Sequence, residues 1–268
     1  MSADSSNEGI AGTEEKSVIL VVEDDEELRG YISERLVRWY KVLEAEDGDI
    51  GMEMARKHIP DLIISDVMMP HMDGLELCRK IKEGLETSHI PLILLTAKSL
   101  HENIEEGYNV LADDYVLKPF SMKVLTAKCR SLIANRNKLR QKFSEEIART
   151  DISSPEVRQD PFLSKVMELV RANVESTDLN IKMLYTEMGM SRAQFFRKIK
   201  SISNLSPNKI VLKIRMNLAA EMLRHGNMNV SEVAYRTGFS DPAYFSKVFK
   251  SVYEVSPINY QKQYAKGK

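Results

Sequence analysis

The first 120 residues alternate short apolar runs with longer stretches whose apolar residues recur at helical spacing. Short apolar runs between turn signals are typical of strands buried on both faces. The predicted strands are 17–22, 42–45, 62–64, 91–97 and 114–120, and the predicted helices are 26–40, 48–58, 75–81 and 100–110. Trp39 falls on the apolar side of the first helix and is predicted to lie in the core. The alternation favours a doubly wound α/β fold with five parallel strands and helices on both faces.

From residue 161 onward the pattern is helical and occurs twice. The predicted helices are 161–174, 180–188, 192–201, 208–225, 230–236 and 242–253. In each copy a short helix, a glycine-containing turn and a basic helix follow one another, and Ser206-Pro207 returns fifty residues later as Ser256-Pro257. We therefore predict an all-α domain with two helix-turn-helix motifs. The linking helix of 18 residues is about 27 Å long, which lets the motifs reach successive turns of B-DNA about 34 Å apart.

The stretch between the two halves has heptad spacing. Its a and d positions are Leu125, Cys129, Leu132, Arg136, Leu139 and Phe143. One interpretation is a coiled coil that pairs two chains. The other is a last helix of the first domain that continues as a solvated basic extension from Arg136 to Lys142. The predicted organisation is a disordered leader at 1–16, a first domain at 17–135, a helical connector and linker at 136–161, and a second domain at 162–268.

The net charge of −1 conceals an asymmetry between the halves. Residues 161–268 contain 17 basic and 8 acidic residues, whereas residues 1–160 contain 21 basic and 31 acidic ones. A basic domain is a candidate for binding nucleic acid. The two cysteines, Cys78 and Cys129, have no paired spacing, which fits a reducing cytoplasm and argues against a disulfide framework. Because the sequence has no apolar run of about 18 residues, we expect a cytoplasmic location without membrane contact.

Polar side chains follow the predicted strands at the points where they end. They are Glu23 and Asp24 after the first strand, Asp66 after the third, Thr96 after the fourth and Lys118 after the fifth. The carboxyl ends of parallel strands share one edge of the sheet, so these groups are predicted to meet. Three carboxylates in one crevice repel each other unless a cation lies between them, and Mg²⁺ prefers oxygen ligands. A lysine and a threonine complete a cradle for a phosphoryl group, with Asp66 as the nucleophile.

Four motifs occur in order along this half. They are Val-Val-Glu-Asp-Asp from Val21, Asp-Leu-Ile-Ile-Ser-Asp-Val-Met-Met-Pro from Asp61, Leu-Leu-Thr-Ala-Lys from Leu94, and Ala-Asp-Asp-Tyr from Ala112 with Lys-Pro-Phe after it. Residues 17 to about 135 thereby resemble a two-component receiver domain, which implies a flavodoxin-like fold.

The resemblance assigns a role to each of the strand-end residues. It implies phosphorylation of Asp66 with a histidine kinase as the donor. It implies a Mg²⁺ site formed by the side chains of Glu23, Asp24 and Asp66 and the carbonyl group of Met68. Thr96 and Tyr115 become a switch pair, and Lys118 becomes the partner of the phosphoryl group. The sequence has no Gly-rich nucleotide loop, so the chain is predicted to be a phosphoacceptor with self-catalysed transfer to Asp66 and not an enzyme that uses ATP.

Two positions qualify the resemblance. Leu111 stands where the family usually has glycine before Ala-Asp-Asp. If that position needs a left-handed backbone, leucine costs about 1–2 kcal/mol, which would alter the balance between inactive and active states. His71 lies near Asp66 and is predicted to be a surface histidine, not a second phosphoacceptor.

The basic half carries its own motifs. The second copy reads Val-Ser-Glu-Val-Ala-Tyr-Arg-Thr-Gly-Phe-Ser-Asp from Val230 and Tyr-Phe-Ser-Lys-Val-Phe-Lys from Tyr244, and the first reads Gly-Met-Ser-Arg from Gly189. Residues 163–262 resemble the DNA-binding domain of AraC/XylS-type transcription factors. The first copy departs at Tyr185, which replaces a usual alanine. Asn204 and Glu254 stand where the family often has glycine.

The AraC/XylS resemblance implies two sets of DNA-binding residues. The groove-facing residues are Arg192, Ala193, Phe196 and Arg197 in the first motif and Pro242, Ala243, Tyr244 and Lys247 in the second. Lys200 and Lys250 are predicted to hold phosphates, since basic side chains at the flanks of a reading helix usually contact the DNA backbone. Phe195, Phe245 and Phe249 are predicted to be core residues.

Taken together, the motifs predict a phosphorylation-controlled transcription regulator of a two-component system that binds specific duplex DNA and forms a homodimer when phosphorylated. One alternative is the C-terminal receiver and DNA-binding part of a hybrid sensor kinase. An alternative of another class is a phosphoryl relay protein whose basic domain binds protein. Salt-dependent binding to duplex DNA distinguishes the last alternative from the other two.

Overall fold

The computed structural model describes residues 16–97, 112–148, 160–176, 179–225 and 228–265. The predicted leader up to residue 15, the helix at 100–110, Leu111 and most of the linker at 151–161 lie outside these residues. Within the described ranges, no helix is both long and apolar enough to cross a membrane.

Five parallel strands form the sheet, as the sequence predicted. They are β1 (Val18–Val22), β2 (Lys41–Ala45), β3 (Leu62–Asp66), β4 (Leu92–Thr96) and β5 (Asp114–Leu117). Their order across the sheet is β2-β1-β3-β4-β5. The central strands β3 and β4 are buried at every residue, because helices cover both faces of a doubly wound sheet.

Three capped helices cover the sheet in the described part of the first half. They are α1 (Glu26–Leu36), α2 (Gly48–His58) and α3 (Gly74–Glu83), and each is preceded by an aspartate whose side chain accepts a hydrogen bond from a backbone amide of the first turn. The prediction for Trp39 was wrong. Helix α1 ends at Leu36, three residues before the tryptophan, whose side chain is 47% exposed with the Arg38 guanidinium over its ring.

Helix α4 (Met122–Ala148) runs through the predicted domain boundary at residue 135 without a break. Leu125 and Cys129 are fully buried in the core beneath the sheet. These two heptad positions therefore cannot pair two chains, and the coiled-coil interpretation does not hold for them. The alternative interpretation expected a solvated Arg136, and this expectation was wrong. Arg136 is buried, and its Nη1 donates to the carbonyl oxygen of Pro60 at 2.9 Å. Leu139, one turn further on, is 66% exposed.

The elements that the structure describes in the second half are all helices. Its helices are α5 (Pro161–Ala172), α6 (Ile181–Glu187), α7 (Arg192–Ser203), α8 (Pro207–His225), α9 (Val230–Arg236), α10 (Pro242–Tyr253) and α11 (Pro257–Ala265). Helix α11 was not predicted. The duplication extends to the backbone, since Asn204 and Glu254, which follow α7 and α10, both have positive φ angles of 57° and 61°.

Two hydrophobic cores hold the helical half together. One surrounds Phe162 and Phe195 in the first motif, and the other surrounds Phe245 and Phe249 in the second. Helix α8 contributes to both, with its amino-terminal residues in the first core and its carboxy-terminal residues in the second. The predicted burial of Phe195, Phe245 and Phe249 is confirmed.

Candidate functional site

Three carboxylates meet where β1 and β3 end. The side-chain oxygens of Glu23, Asp24 and Asp66 approach within 4.8 Å of one another. Glu23 and Asp66 are buried, with exposed fractions of 1% and 6%, whereas Asp24 faces solvent. The parallel pairing of β1 with β3 brings the two strand ends together, which is the convergence that the sequence predicted.

Lys118 supplies the positive charge of this cluster. Its Nζ lies 2.8 Å from Oδ1 of Asp66 and 3.0 Å from Oε2 of Glu23. Burial raises the pKa of Glu23, although the hydrogen bond from Lys118 opposes the rise. Burial alone would lower the pKa of Lys118, but its hydrogen bonds to Asp66 and Glu23 outweigh that effect and raise it. The lysine is therefore held as an ammonium against a carboxylate that is costly to ionise.

Close backbone packing fixes the position of Asp66. A side chain at Gly74, the first residue of α3, would place its Cβ 1.9 Å from the carbonyl oxygen of Asp66. Only glycine therefore lets α3 begin this close to the end of β3. On the other side of the cluster, Arg29 Nη1 donates to the carbonyl oxygen of Glu23 at 2.6 Å and so fixes the end of β1.

The remaining predicted residues of this site lie around the cluster. Thr96 is buried at the end of β4, where it pairs in register with Leu117 of β5. Tyr115 is half-buried, packs against the core on the α2 and α3 side, and has a pKa raised by burial. Met68 lies two residues beyond Asp66 with its side chain 75% exposed. His71 is exposed, which confirms it as a surface residue.

The donor set fits a hard divalent cation. Glu23, Asp24 and Asp66 offer only oxygen ligands, which Mg²⁺ prefers, and three carboxylates exceed the charge that Lys118 alone neutralises. The exposed position of Asp24 leaves one side of the cluster open to a cation, its waters and a phosphoryl group.

The second helix-turn-helix presents most of its predicted DNA-binding residues to solvent. Ala243, Tyr244, Lys247 and Lys250 of α10 are exposed, with Tyr244 at 58%, and Pro242 is half-buried as the first helical residue. The exposed residues lie on one side of α10, opposite the core residues Phe245 and Phe249.

The first helix-turn-helix is placed differently. Arg192, Ala193 and Lys200 of α7 are exposed, but Phe196 and Arg197 are half-buried. Arg197 lines a cleft of about 690 Å³ between α7 and α2 of the first half, together with Asp49 and Glu53. Its Nε is buried without a hydrogen-bond partner among the described residues. Of the predicted groove-facing residues, Arg197 is therefore the one that faces the first half of the chain.

Sequence reasoning missed the residues that join the two halves. Helix α7 contacts α2 and α4. Lys198 is fully buried, and its Nζ lies 2.6 Å from Nδ1 of His89 in the turn between α3 and β4. Nε2 of the same histidine lies 2.8 Å from Oγ of Ser201. No sequence pattern indicates this contact, because Lys198 is one of several basic residues on α7.

Comparison with known families assigns each half. Residues 19–130 match the response regulator receiver domain, and residues 184–263 match a helix-turn-helix domain. The first match contains every residue of the acidic cluster, and the second begins within α6 and contains both basic helices, α7 and α10.

Individual relatives are similar to nearly the whole chain or to its first half. Histidine kinase P4 of Formosa agariphila is 38% identical over 260 residues, which are 96% of this chain and 19% of that kinase. Transcriptional regulatory protein RprY of Bacteroides fragilis is 40% identical over 121 residues, which are 45% of this chain and 50% of RprY. A solved receiver domain of a histidine kinase from Syntrophus aciditrophicus is 33% identical with a TM-score of 0.42, and the match covers 44% of this chain and 91% of that structure. The chain thus spans at most half the length of these two curated relatives.

Proposed function

We propose that this chain is a phosphorylation-controlled transcription regulator of a two-component system. Its residues 19–130 form a response regulator receiver domain, and residues 184–263 form an AraC-type helix-turn-helix domain. It accepts a phosphoryl group on Asp66 and binds specific duplex DNA through its helical half. A histidine kinase is the proposed donor, and the cytoplasm is the proposed location, because the kinase's phosphoryl group and DNA are both accessible there.

The proposed phosphorylation of Asp66 is supported by its position between a lysine and two further carboxylates. One oxygen of Asp66 is held by Lys118 at 2.8 Å, which leaves the other as the nucleophile. This oxygen attacks the phosphorus of a phosphohistidine, the P–N bond breaks, and the histidine of the donor leaves. Lys118 and the Thr96 hydroxyl are proposed to bind the oxygens of the transferred group.

A divalent cation, Mg²⁺, is the proposed cofactor. Asp24, Asp66 and the carbonyl group of Met68 would hold it, with Glu23 bound weakly or through a water. When bound, the cation neutralises charge on the phosphoryl group. Glu23 itself orients Lys118 through their 3.0 Å contact.

Intact-mass measurement after incubation with acetyl phosphate and Mg²⁺ tests the phosphoacceptor. The wild-type chain should gain one phosphoryl group, and Asp66→Asn should gain none. Asp49→Asn is the matched control, because Asp49 is an exposed aspartate of α2 outside the acidic cluster, and it should be labelled like the wild type. Full labelling of Asp66→Asn would refute the assignment.

For DNA binding, the supporting observation is the exposed basic and aromatic side of α10, with Tyr244, Lys247 and Lys250. An exposed helix of this kind fits the major groove, which reads sequence through side chains that contact base edges. Selection of bound sequences from a random duplex pool, with and without phosphorylation, tests this function. Binding without sequence preference or salt dependence would refute it and favour a relay protein whose basic domain binds protein.

A homodimer of the phosphorylated chain is the proposed active form. Phosphorylation is proposed to draw Thr96 toward the phosphoryl group, to turn Tyr115 inward, and to repack the helix that follows β5. Helix α4 begins five residues after the end of β5 and exposes Leu139 in its later part, which offers a contact for a second chain. Sedimentation with and without acetyl phosphate measures this step. A mass distribution that does not change while Asp66 is occupied would exclude pairing as the switch.

A second candidate is the C-terminal receiver and DNA-binding part of a hybrid sensor kinase. It is favoured by the similarity to histidine kinase P4, which extends over both halves of this chain. The DNA sequence upstream of the first codon tests it, since a hybrid sensor requires a kinase domain in the same reading frame.

A further inference from the structure

Helix α7, the proposed reading helix of the first motif, carries three different faces. Phe195, Ile199 and Ile202 pack into the core of their own domain. The predicted DNA-facing residues Arg192, Ala193, Phe196 and Lys200 lie on a second side. The third face lies toward the receiver domain, where Gln194 and Arg197 line the cleft against α2 and Lys198 and Ser201 bond to His89. These positions recur at three- and four-residue spacing, so they form one continuous stripe along the helix.

The stripe joins the receiver through a closed ring of hydrogen bonds. A lysine ammonium only donates, so Nζ of Lys198 donates to Nδ1 of His89 at 2.6 Å. The proton of the neutral imidazole then lies on Nε2, which donates to Oγ of Ser201 at 2.8 Å. The hydroxyl of Ser201 donates in turn to the carbonyl oxygen of Lys198 at 2.8 Å. Every polar atom of this ring has a partner only while His89 is neutral.

The charges around the ring disfavour a second proton. Burial, together with the charges of Lys198, Arg136 and Lys82, holds the pKa of His89 well below its usual range. Burial lowers the pKa of Lys198 to about 8. The charges of Asp160 and Glu86 oppose this decrease, and the charge of Arg136 adds to it. Nε and Nη2 of the buried Arg136 have no partner among the described residues, so no counter-charge is bonded to them. The pKa of His58 in α2 is also lowered, by burial and by the charges of Lys57, Arg197 and Lys41.

The docked position of α7 conflicts with its insertion into DNA. The major groove is about 12 Å wide, and a helix with its side chains is about 10–12 Å across. A helix that fills the groove cannot keep a folded domain against its flank, because the phosphate backbones occupy that space. Arg197 belongs to both faces, so it contributes either to the receiver cleft or to DNA.

We infer that helix α7 exchanges between two binding surfaces, the α2 and α4 side of the receiver domain and the major groove of DNA, and that protonation of His89 releases it from the receiver. The inference rests on the proposed DNA-binding function and names a regulation of it. Docking then suppresses DNA binding by the first motif while leaving the exposed α10 of the second motif accessible.

The direction of the pH dependence follows from the histidine. The docked state binds fewer protons than the released state, because it requires a neutral His89. Docking is therefore complete above the pKa of the released histidine, ordinarily about 6.5, and is lost as pH falls below it. A fall from pH 7.5 to 5.5 weakens docking about tenfold on this basis. Lys198 acts in the same direction at alkaline pH, since its lowered pKa strengthens docking as pH rises above about 8.

Nuclear magnetic resonance of the imidazole groups in the full chain tests the contact without DNA. His89 should remain neutral with its proton on Nε2 well below pH 6.5. Ser201→Arg, which places a bulky cation in the contact, should return His89 to ordinary titration. Lys198→Met keeps an unbranched side chain at this buried position and removes the ammonium that lies over the Phe162 ring, and it should raise the pKa of His89 partway. Ordinary titration of His89 in the wild-type chain would overturn the inference.

Binding to a 40-base-pair duplex of random sequence at constant ionic strength tests the consequence for DNA. The affinity gained by the wild type between pH 7.5 and 5.5 should exceed that of His89→Gln about tenfold, because glutamine cannot take up the proton. His225→Gln, the same change at an exposed histidine, should behave like the wild type. Equal pH dependence of the wild type and His89→Gln would overturn the inference. Failure of every form to bind the duplex, with the expected His89 titration, would instead refute the proposed DNA-binding function.

Discussion

Nζ of Lys118 lies 2.8 Å from Oδ1 of Asp66, so the lysine ammonium directly contacts the proposed phosphoacceptor. The same ammonium reaches Glu23 at 3.0 Å. One lysine therefore contacts two buried carboxylates, whereas the third carboxylate, Asp24, is exposed to solvent. The balance of charge in this cluster leads to the first prediction.

Glu23→Gln should stabilise the receiver domain at neutral pH without Mg²⁺ and weaken its Mg²⁺ affinity. Burial raises the pKa of Glu23, so ionised Glu23 costs more in the folded than in the unfolded chain. Protonated Glu23 therefore favours the folded chain at pH values below the pKa of Glu23 in the unfolded chain. This contribution to stability is lost as pH rises through the higher pKa of Glu23 in the folded chain. Thermal unfolding from pH 4 to 8 should show the gain only at the upper end.

The matched control for this prediction is Glu27→Gln, because Glu27 is exposed in the first turn of α1. It should change neither the pH profile nor the Mg²⁺ affinity beyond a small surface effect. A loss of stability in Glu23→Gln at pH 7 would show that the contact with Lys118 outweighs the cost of burial.

Gly238→Ala should destabilise the helical half by more than about 2 kcal/mol, because left-handed strain of about 1–2 kcal/mol combines with a steric clash. Gly238 has a φ of 78°, and an added Cβ would lie 2.6 Å from the carbonyl oxygen of Val174. Gly189 is the equivalent position of the first motif, with a φ of 65° and no atom within 4 Å of its Cβ position. Gly189→Ala should therefore cost only about 1 kcal/mol. Urea unfolding of the two variants measures the difference, and equal costs would contradict it.

Glu254→Gly should stabilise the helical half by about 1 kcal/mol, since glutamate is strained in the left-handed region. Glu254 ends α10 with a φ of 61°, as Asn204 ends α7 with a φ of 57°. Asn204→Gly should gain less, because asparagine tolerates this conformation better than glutamate does. The midpoint of urea unfolding should rise for both variants, in that order of size.

Lys247→Ala and Lys250→Ala should affect DNA binding in different ways. If Lys247 contacts a base edge, its loss costs about 1–3 kcal/mol and relaxes the preference at one base pair. If Lys250 contacts a phosphate, its loss weakens binding to all sequences and reduces the slope of log affinity against log salt by about one. Binding titrations against the selected sequence and a scrambled duplex at several salt concentrations separate the two effects. A scrambled duplex that loses as much affinity as the selected one in Lys247→Ala would contradict base contact.

The sheet and the acidic cluster were predictable from the sequence because both depend on local pattern. The apolar runs around Leu20, Ile63 and Ile93 define strands without reference to the rest of the chain. Parallel pairing then places Asp24 and Asp66 at the same edge, since every strand ends there. The receiver and AraC-type assignments are confirmed by the family matches, whereas the roles of the individual site residues stay predictions.

The features that sequence reasoning missed depend on contacts between distant segments. Trp39 has the spacing of a core residue, but α1 ends before it and leaves it exposed. Arg136 and Lys198 are residue types expected at the surface, because charged side chains are rarely buried. Arg136 is nevertheless buried and bonded to Pro60, and Lys198 is buried and bonded to His89 of the other half. The spacing of Leu125 and Cys129 suits a pairing surface and an internal core equally well, and only the tertiary structure distinguishes them.

Helix α8 is shared by the hydrophobic cores of the two helix-turn-helix copies. Its residues Ile210 and Ile214 belong to the first core, and Met216 and Leu223 belong to the second. If either motif melted alone, half of α8 would lose its apolar contacts while the other half remained bound. We therefore expect the two copies to unfold together, with damage to one copy transmitted to the other through their shared helix.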